Sequence, residues 1–373
     1  MKILITGGLG FIGSALGRRL IADGHEVVAM DSLTEQIHGS IPQTVLPDGL
    51  QFIRQDIRSI GRFPEIVEGC DVIYHLAAET GTAQSMYRIR DYVDVNECGT
   101  AALLEAIASS KSRPRRVILA SSRSVYGEGA YVSASQPDNI IQPAPRTKEQ
   151  LDARIWDPLD ENRQAMTAVA TPESLPFAPG SVYAATKASQ ELLISAAADA
   201  LGFEPVIFRF QNVYGEGQSL QNPYTGIISI FFNRARQGLG IAIYEDGLES
   251  RDFVHIDDIV DGLVAAAEAI IPQGAVLNLG SGTPTSVMEL AQTLLATSGF
   301  DVPITVTGQF RVGDIRHCYA DLSMAERVIG FNPKISLDEG LRRFCAWAAS
   351  QPVHIDKSDK AMAELRSRNL MSE

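Results

Sequence analysis

The chain of 373 residues is 45% hydrophobic and 21% charged, the balance of an ordinary globular protein with room for one large or two smaller domains. Its net charge of −13 argues against a nucleic-acid-binding surface, which needs clustered Lys and Arg, but a few well-placed arginines could still hold an anionic ligand. No apolar run approaches the ~18 residues of a membrane span, and a first strand starting at Lys2 leaves no room for a signal peptide, so the cytoplasm is the expected compartment and a membrane partner is not expected.

That first strand runs through Ile3, Leu4 and Ile5, and TGGLGFIG follows from Thr6 to Gly13, ahead of a helical pattern carrying Leu16, Leu20 and Ile21. Strand, glycine turn and helix make the context of a phosphate-binding loop. Gly7 can take the tight turn, Gly10 lets backbone approach a pyrophosphate, and Gly13 lets the helix pack against the strand. The helix N-terminus adds free N–H groups and a partial positive charge. A second strand, Glu26 to Met30, ends at Asp31. An acidic residue ~20 positions past the loop suits the ribose hydroxyls of NAD and would repel the extra phosphate of NADP, although the position also fits a loop carboxylate or helix cap.

Gln51 to Gln55 reads as a third strand, followed by Asp56 and Ile57; Asp71 to His75 reads as a fourth, running into Leu76, Ala77 and Ala78. One helix is expected from Ser85 to Ser109, with the polar Asn96 in its middle, before a fifth strand from Arg116 to Ala120 and the segment SSRSVYG. Strands alternating with helices predict an α/β fold, a Rossmann-like doubly wound parallel sheet. The alternation stops over residues 128–180, a proline-rich stretch that reads as an insertion over the substrate side, either a lid or a disordered segment. A helix from Ser181 to Leu201 then places Tyr183 and Lys187 on one face, and Pro205 to Phe210 forms a sixth strand ending in QNVYG.

The remaining elements, including a helix from Ile227 to Arg236, RDFVHIDD, a strand from Ala275 to Leu279 and RVGDIRHCYAD, read as a smaller C-terminal α/β lobe over the strand ends. The expected division is a dinucleotide-binding domain over residues 1–212, a mainly substrate-binding lobe over 213–352 and a tail over 353–373, read as a frayed helix. Cys70, Cys98, Cys318 and Cys345 are scattered, without a disulfide framework or metal-ligand spacing, so free thiols and no metal are expected.

Ser122, Tyr183 and Lys187 together can handle a proton beside a hydride donor. A free tyrosine, with a pKa near ~10, is too weakly acidic to serve as a base at neutral pH. A neighbouring ammonium and a positively charged nicotinamide would both stabilise its phenolate.

With TGGLGFIG, HLAA, SSRSVYG, Tyr183-x-x-x-Lys187, RFQNVYG, RDFVHIDD and RVGDIRHCYAD in one chain, the sequence resembles the extended short-chain dehydrogenase/reductases, and within them the nucleotide-sugar epimerases and dehydratases. The resemblance implies NAD as cofactor, with Gly7, Gly10, Phe11, Ile12 and Gly13 on the pyrophosphate and Asp31 on the adenosine ribose. It places Asp56 and Ile57 beside the adenine, Leu76, Ala77 and Ala78 along the cofactor groove, and Asn96 within hydrogen-bonding range of the cofactor side. Tyr183 and Lys187 would also touch the cofactor. The partner implied is a nucleotide-diphosphate sugar, its diphosphate met by Asn212, Arg251 and Arg311, its nucleotide pocket lined by Asn222 and Tyr224, and its sugar near Ser122 and Cys318. A homodimer packed through the helices at 85–109 and 181–201 is implied as well.

Related 4,6-dehydratases carry an Asp-Glu pair after the residue that matches Ser122, whereas this chain has Arg123 and Ser124, which cannot remove water from a sugar. QSMY at Gln84 to Tyr87, the long insertion, NPYTG at Asn222 to Gly226 and RVGDIRHCYAD are similar to segments of one bacterial branch of the family, the dTDP-L-rhamnose 4-epimerases. Reversible 4-epimerisation is therefore the expected reaction, with a UDP-sugar 4-epimerase or a one-way reductase of a 4-keto sugar as alternatives.

Overall fold

In the computed structural model, residues 1–39, 47–222, 224, 226–311, 313–356 and 358–372 are described; Pro223, Thr225 and Val312, within the motif segments above, lie outside them. Seven strands, β1 (Lys2–Thr6), β2 (Glu26–Asp31), β3 (Leu50–Arg54), β4 (Val72–His75), β5 (Arg116–Ser122), β6 (Glu204–Phe210) and β7 (Ala275–Leu279), form one parallel sheet in the order β7-β6-β5-β4-β1-β2-β3. The order reverses between β1 and β4, and a crevice opens at their C-terminal ends, where open α/β sheets bind ligands.

The apolar runs of these strands are explained by burial on both faces. Within β1, Ile3 and Ile5 point to one face, where Leu16 and Leu20 of helix α1 (Phe11–Ala22) pack, whereas Leu4 points to the other. That second face is covered by Leu103 and Ile107 of α2 (Gly99–Ser109) and Ile194 of α3 (Val182–Leu201). All of these apolar side chains are fully buried, each contributing about 1.5–3 kcal/mol.

The helix expected over Ser85 to Ser109 is instead broken into Thr82–Ser85, Ile89–Tyr92, a π-helical turn over Val93–Cys98 and then α2. The wide turn carries Asn96, wholly buried, whose amide must find partners off the helix: its Oδ1 accepts from Glu79 N at 2.8 Å and its Nδ2 donates to Thr186 Oγ1 at 2.9 Å.

Residues 128–180 are ordered rather than disordered. They hold a three-stranded antiparallel sheet (Gln136–Ile141, Tyr131–Ser133, Thr167–Ala168) and are pinned by Arg146, whose side chain is 1% exposed and pairs with Glu245 at 2.8 Å and Glu128 at 3.3 Å. Sequence periodicity could not show this order, because its source is a buried ion cluster between distant segments.

The smaller lobe packs α4 (Ile227–Arg236), α6 (Val287–Ser298) and α7 (Leu337–Ser350) about short strands, among them Asn212–Tyr214, Ser250–His255 and Ile241–Ile243. Elements of the C-terminal half also belong with the large sheet: β7 extends it beside β6, and Ile259 and Leu263 of α5 (Ile256–Glu268) join the core over α1. The tail is not frayed; it forms helix α8 (Ser358–Ser367), with Ala361 and Leu365 buried. Among the described residues no helix is long and apolar enough to cross a membrane.

Candidate active site

Two cavities meet above the C-terminal ends of the sheet strands. One, of about 580 Å³, is a groove running from the glycine loop; the other, of about 410 Å³, lies between the groove and the smaller lobe. Ser122, Tyr183, Phe210, Gln211 and Asn212 line both.

The groove begins where two chain segments nearly touch. Gly7 has φ +68°, and a Cβ there would lie 2.8 Å from Ala77 N. At Gly13 a Cβ would lie 2.3 Å from Gly7 O, so side chains are excluded and backbone is left facing the groove. Gly10 caps α1 without a side chain, which leaves the first-turn N–H groups free to point at an anion. Phe11, Ile12, Asp56, Ile57, Leu76 and Ala78 line the same groove. Asp31 accepts from Leu9 N at 3.1 Å and Leu33 N at 2.8 Å. Burial alone would raise its pKa, but hydrogen bonding with His38 and with those two N–H groups holds the carboxyl below its ordinary range. It stays a charged acceptor at the groove wall.

The wall common to both cavities is set by β5 and α3. Ser122 ends β5 and caps the following turn, its Oγ accepting from Ser124 N at 3.2 Å and Ser124 Oγ at 3.0 Å. Tyr183 enters from the first turn of α3, where Ser85 Oγ accepts from its N–H at 3.0 Å. Burial raises the Tyr183 pKa, opposed by hydrogen bonding with Ser122 and by the charge of Arg123. Lys187 donates to Ala120 O at 2.8 Å, and its Nζ stands 6.0 Å from the Tyr183 ring centroid. Burial pulls the Lys187 pKa down to about 7, partly offset by Glu191. Lys187 and Arg123 are thus both cations near the phenol, and the charge of Arg123 opposes the effect of burial on it.

The second cavity is lined by Arg123, Arg251 and Arg311. Arg123 Nε donates to Asn212 Oδ1 at 2.8 Å. Arg251 Nη1 donates to Ser250 O and Arg316 O, and its Nη2 to Ile315 O, at 2.8–3.0 Å. Burial and the charge of Arg123 lower the Arg251 pKa, the mark of two cations sharing a small space. Arg311 is held by Asp314 at 2.6 Å and lies 5.4 Å from the Tyr244 ring centroid. The guanidinium forks of Arg123, Arg251 and Arg311, on a cavity that Arg234 also lines, suit an anion with several oxygens, such as a diphosphate.

Three expected residues sit elsewhere. Asn96 spends its side chain on Glu79 and Thr186 and positions the loop after β4 from behind. Cys318 is 1% exposed, packs toward Thr171 with 3.9 Å between Sγ and Oγ1, and stands behind the cavity wall. Asn222 faces the groove rather than the second cavity, its Oδ1 accepting from Tyr224 N at 3.0 Å, whereas Tyr224 does line the second cavity. Sequence reasoning missed Arg123 as a cavity cation, treating it only as a missing carboxylate. It also missed Tyr244, Asp314 and the α8 residues Asp359 and Met362 on the cavity wall. An aromatic after the short strand Ile241–Ile243 was the one available signal among these.

The NAD dependent epimerase/dehydratase family model matches residues 3–148 and 162–280. The chain is 38% identical over 353 residues to dTDP-L-rhamnose 4-epimerase of Burkholderia thailandensis, covering 94% of this chain and 95% of that protein. It is 28% identical to a probable UDP-glucuronate 4-epimerase of Rhizobium meliloti, covering 93% and 96% of the two chains. Among solved structures, UDP-glucuronic acid 4-epimerase of Bacillus cereus in complex with UDP-glucuronic acid and NAD superposes with a TM-score of 0.75 at 28% identity, covering 94% of this chain and 99% of that one. The UDP-glucose 4-epimerase of Thermotoga maritima with UDP-glucose gives a TM-score of 0.75 at 27% identity, with the same coverage. On the match of more than half its length to the family model, the chain belongs to the NAD dependent epimerase/dehydratase family.

Proposed function

We propose that the protein catalyses reversible 4-epimerisation of a nucleotide-diphosphate hexose with a retained NAD, and that dTDP-L-rhamnose is the first substrate to test. The observation that carries this is the wall of Ser122 and Tyr183, which joins a dinucleotide-shaped groove to a cavity lined by Arg123, Arg234, Arg251 and Arg311. The B. thailandensis relative, at 38% identity, supports the choice of sugar. Arg123 and Ser124, in place of an acid pair, weigh against dehydration.

The groove fits NAD. Gly7, Gly10 and Gly13 leave a side-chain-free cradle at the N-terminus of α1, Asp31 offers acceptors for ribose hydroxyls, and Asp56 and Ile57 stand where an adenine would lie. NAD held there would supply the acceptor and donor of the hydride exchanged with the sugar C4. Tyr183, as phenolate, takes the proton of the 4-hydroxyl and later returns it to the same oxygen on the other face of the sugar. Arg123 favours the phenolate electrostatically. Ser122 holds the C4 oxygen, and Lys187 steadies the ribose side of the groove from its anchor on Ala120. Asn212, Arg251 and Arg311 grip the diphosphate while the sugar turns about its bond to it.

A homodimer formed through the segments 85–109 and 181–201 is part of this reading; Ile89 and Leu192, 52% and 59% exposed, lie on them. A reducing, cytoplasmic setting is proposed as well, supported by four free cysteines.

The test is to incubate the purified protein with dTDP-, UDP- and GDP-hexoses without added cofactor and to identify products by NMR. A C4 epimer formed without added NAD is expected. Stoichiometric consumption of NADH or NADPH would instead establish a reductase, and a Tyr183→Phe variant with most of its activity intact would remove Tyr183 from the reaction.

A further inference from the structure

The 410 Å³ cavity has a wall that the family motifs do not supply. Ser358, Asp359, Met362 and Leu365 of α8 line it. The segment is fastened there by contacts of several kinds. Arg234 Nη1 gathers Asp356 at 2.9 Å, Ser358 Oγ at 2.8 Å and Asp359 at 2.7 Å. Tyr224 OH donates to Glu364 at 3.0 Å, and Tyr244 OH lies 2.8 Å from Met362 Sδ. Beyond the helix the chain turns back and pairs with the arginine loop: Ser372 N donates to Phe310 O at 2.9 Å, Phe310 N to Ser372 Oγ at 2.8 Å, and Met371 bridges Arg311. Arg311 is thus clamped between Asp314 and the end of the chain.

The order of groups along the cavity says what this wall meets. The charge of Arg123 acts on both Tyr183 and Arg251, whereas Arg311 lies 5.4 Å from the Tyr244 ring centroid and Tyr244 OH lies 2.8 Å from Met362 Sδ. A nucleotide sugar with its C4 at Tyr183 and its phosphates at the arginines has its nucleoside beside Tyr244 and Met362. An aromatic ring and a thioether give a flat heterocycle two apolar surfaces. Asp359, the α8 carboxylate on the cavity wall, is an acceptor that suits N–H and hydroxyl donors rather than phosphate oxygens.

We infer that the C-terminal segment 358–372 is a nucleotide-binding element: Met362 packs on the base, Asp359 serves its polar edge, and the Met371 pairing fixes Arg311 for the diphosphate. This rests on the nucleotide-sugar reading above. It makes the affinity and base preference for nucleoside diphosphates a property of this chain's own terminus.

The experiment compares the full chain with a variant ending at Gln351 and with Met362→Asp and Asp359→Ala. Binding of dTDP, UDP and GDP to the enzyme as purified is measured by calorimetry, alongside NAD content after denaturation and the thermal midpoint. Truncation and Met362→Asp should each weaken dTDP binding about tenfold or more and flatten the preference among the three diphosphates, with NAD content unchanged. Met362 is half-buried, so its variant folds even if the truncated chain does not. Unaltered dTDP affinity in Met362→Asp, at an unchanged thermal midpoint, overturns the inference. Binding is read without turnover, so failure of the epimerase assay and failure of this test are separate results.

Discussion

Arg146 ties the insertion to the phosphate end of the site, and Arg146→Met should be felt in both stability and binding. Its side chain is 1% exposed and donates to Glu245 at 2.8 Å, Glu128 at 3.3 Å, Trp156 O at 2.9 Å and Asp314 O at 2.8 Å. Burial pulls its pKa down, but the charges of Glu245, Glu128 and Asp314 more than reverse this. Methionine keeps much of the volume and leaves two carboxylates, each 4% exposed, without their cation. Breaking a buried pair costs about 3–5 kcal/mol. Here Arg316 still holds Glu245 at 3.1 Å, and Glu128 still accepts from Arg316 N at 2.7 Å, which argues for the lower end, about 3 kcal/mol. That corresponds to a drop of roughly 4 °C in thermal midpoint for a chain of this size. The second effect runs through the loop at 314–316. Asp314 holds Arg311, and the carbonyls of Ile315 and Arg316 hold Arg251, so loss of the Asp314 O contact should raise KM for the nucleotide sugar more than it lowers kcat. Thermal unfolding and steady-state kinetics check the two effects. A melting temperature within about 1 °C of the parent, with KM unchanged, would refute the reasoning.

Three further outcomes are expected. Arg123→Ala removes a charge that lowers the Tyr183 pKa, so the acidic, ascending limb of kcat/KM should move to higher pH, with partial recovery in Arg123→Lys; an unmoved pH profile rejects the role. Glu249 is 7% exposed, its Oε2 has no hydrogen-bond partner, and burial raises its pKa to about 7. The folded protein therefore resists an ionisation that the unfolded chain completes near pH ~4.5, and stability is lost as pH rises from there to about 7. Glu249→Gln should then stabilise by up to about 3 kcal/mol at pH ~8 and by nothing near pH ~4, as measured by urea unfolding at both. Gly13→Ala forces a Cβ to within 2.3 Å of Gly7 O and 2.8 Å of Gly8 Cα, backbone that cannot swing away, and should yield protein purified without dinucleotide; a full complement of NAD would contradict it.

The sheet and groove were legible because their signals are local. A glycine loop, a carboxylate at a strand end and a Tyr–Lys pair one helical turn apart announce themselves within short windows. What stayed hidden depends on long-range meetings. The order of residues 128–180 comes from Arg146 reaching Glu245, and the order of the tail from Arg234 and Phe310. Arg123 was visible as a departure from a motif, but its use depends on Asn212 and Tyr183 arriving beside it. Asn96 shows the converse: a buried polar residue read from the sequence as a ligand contact is satisfied by the protein's own backbone and Thr186.

The place of β7 also bears on how the protein is made. Until residue 279 leaves the ribosome, β6 is the outermost strand of the sheet, with EPVIFRF presenting an unpaired row of N–H and C=O groups on a largely apolar segment. Such a strand invites pairing with the same strand of another nascent chain. A fragment stopping at Asn212, although it contains the whole dinucleotide groove up to β6, should aggregate on expression. The same fragment carried through Leu279 has β6 paired on both sides, by β5 and β7.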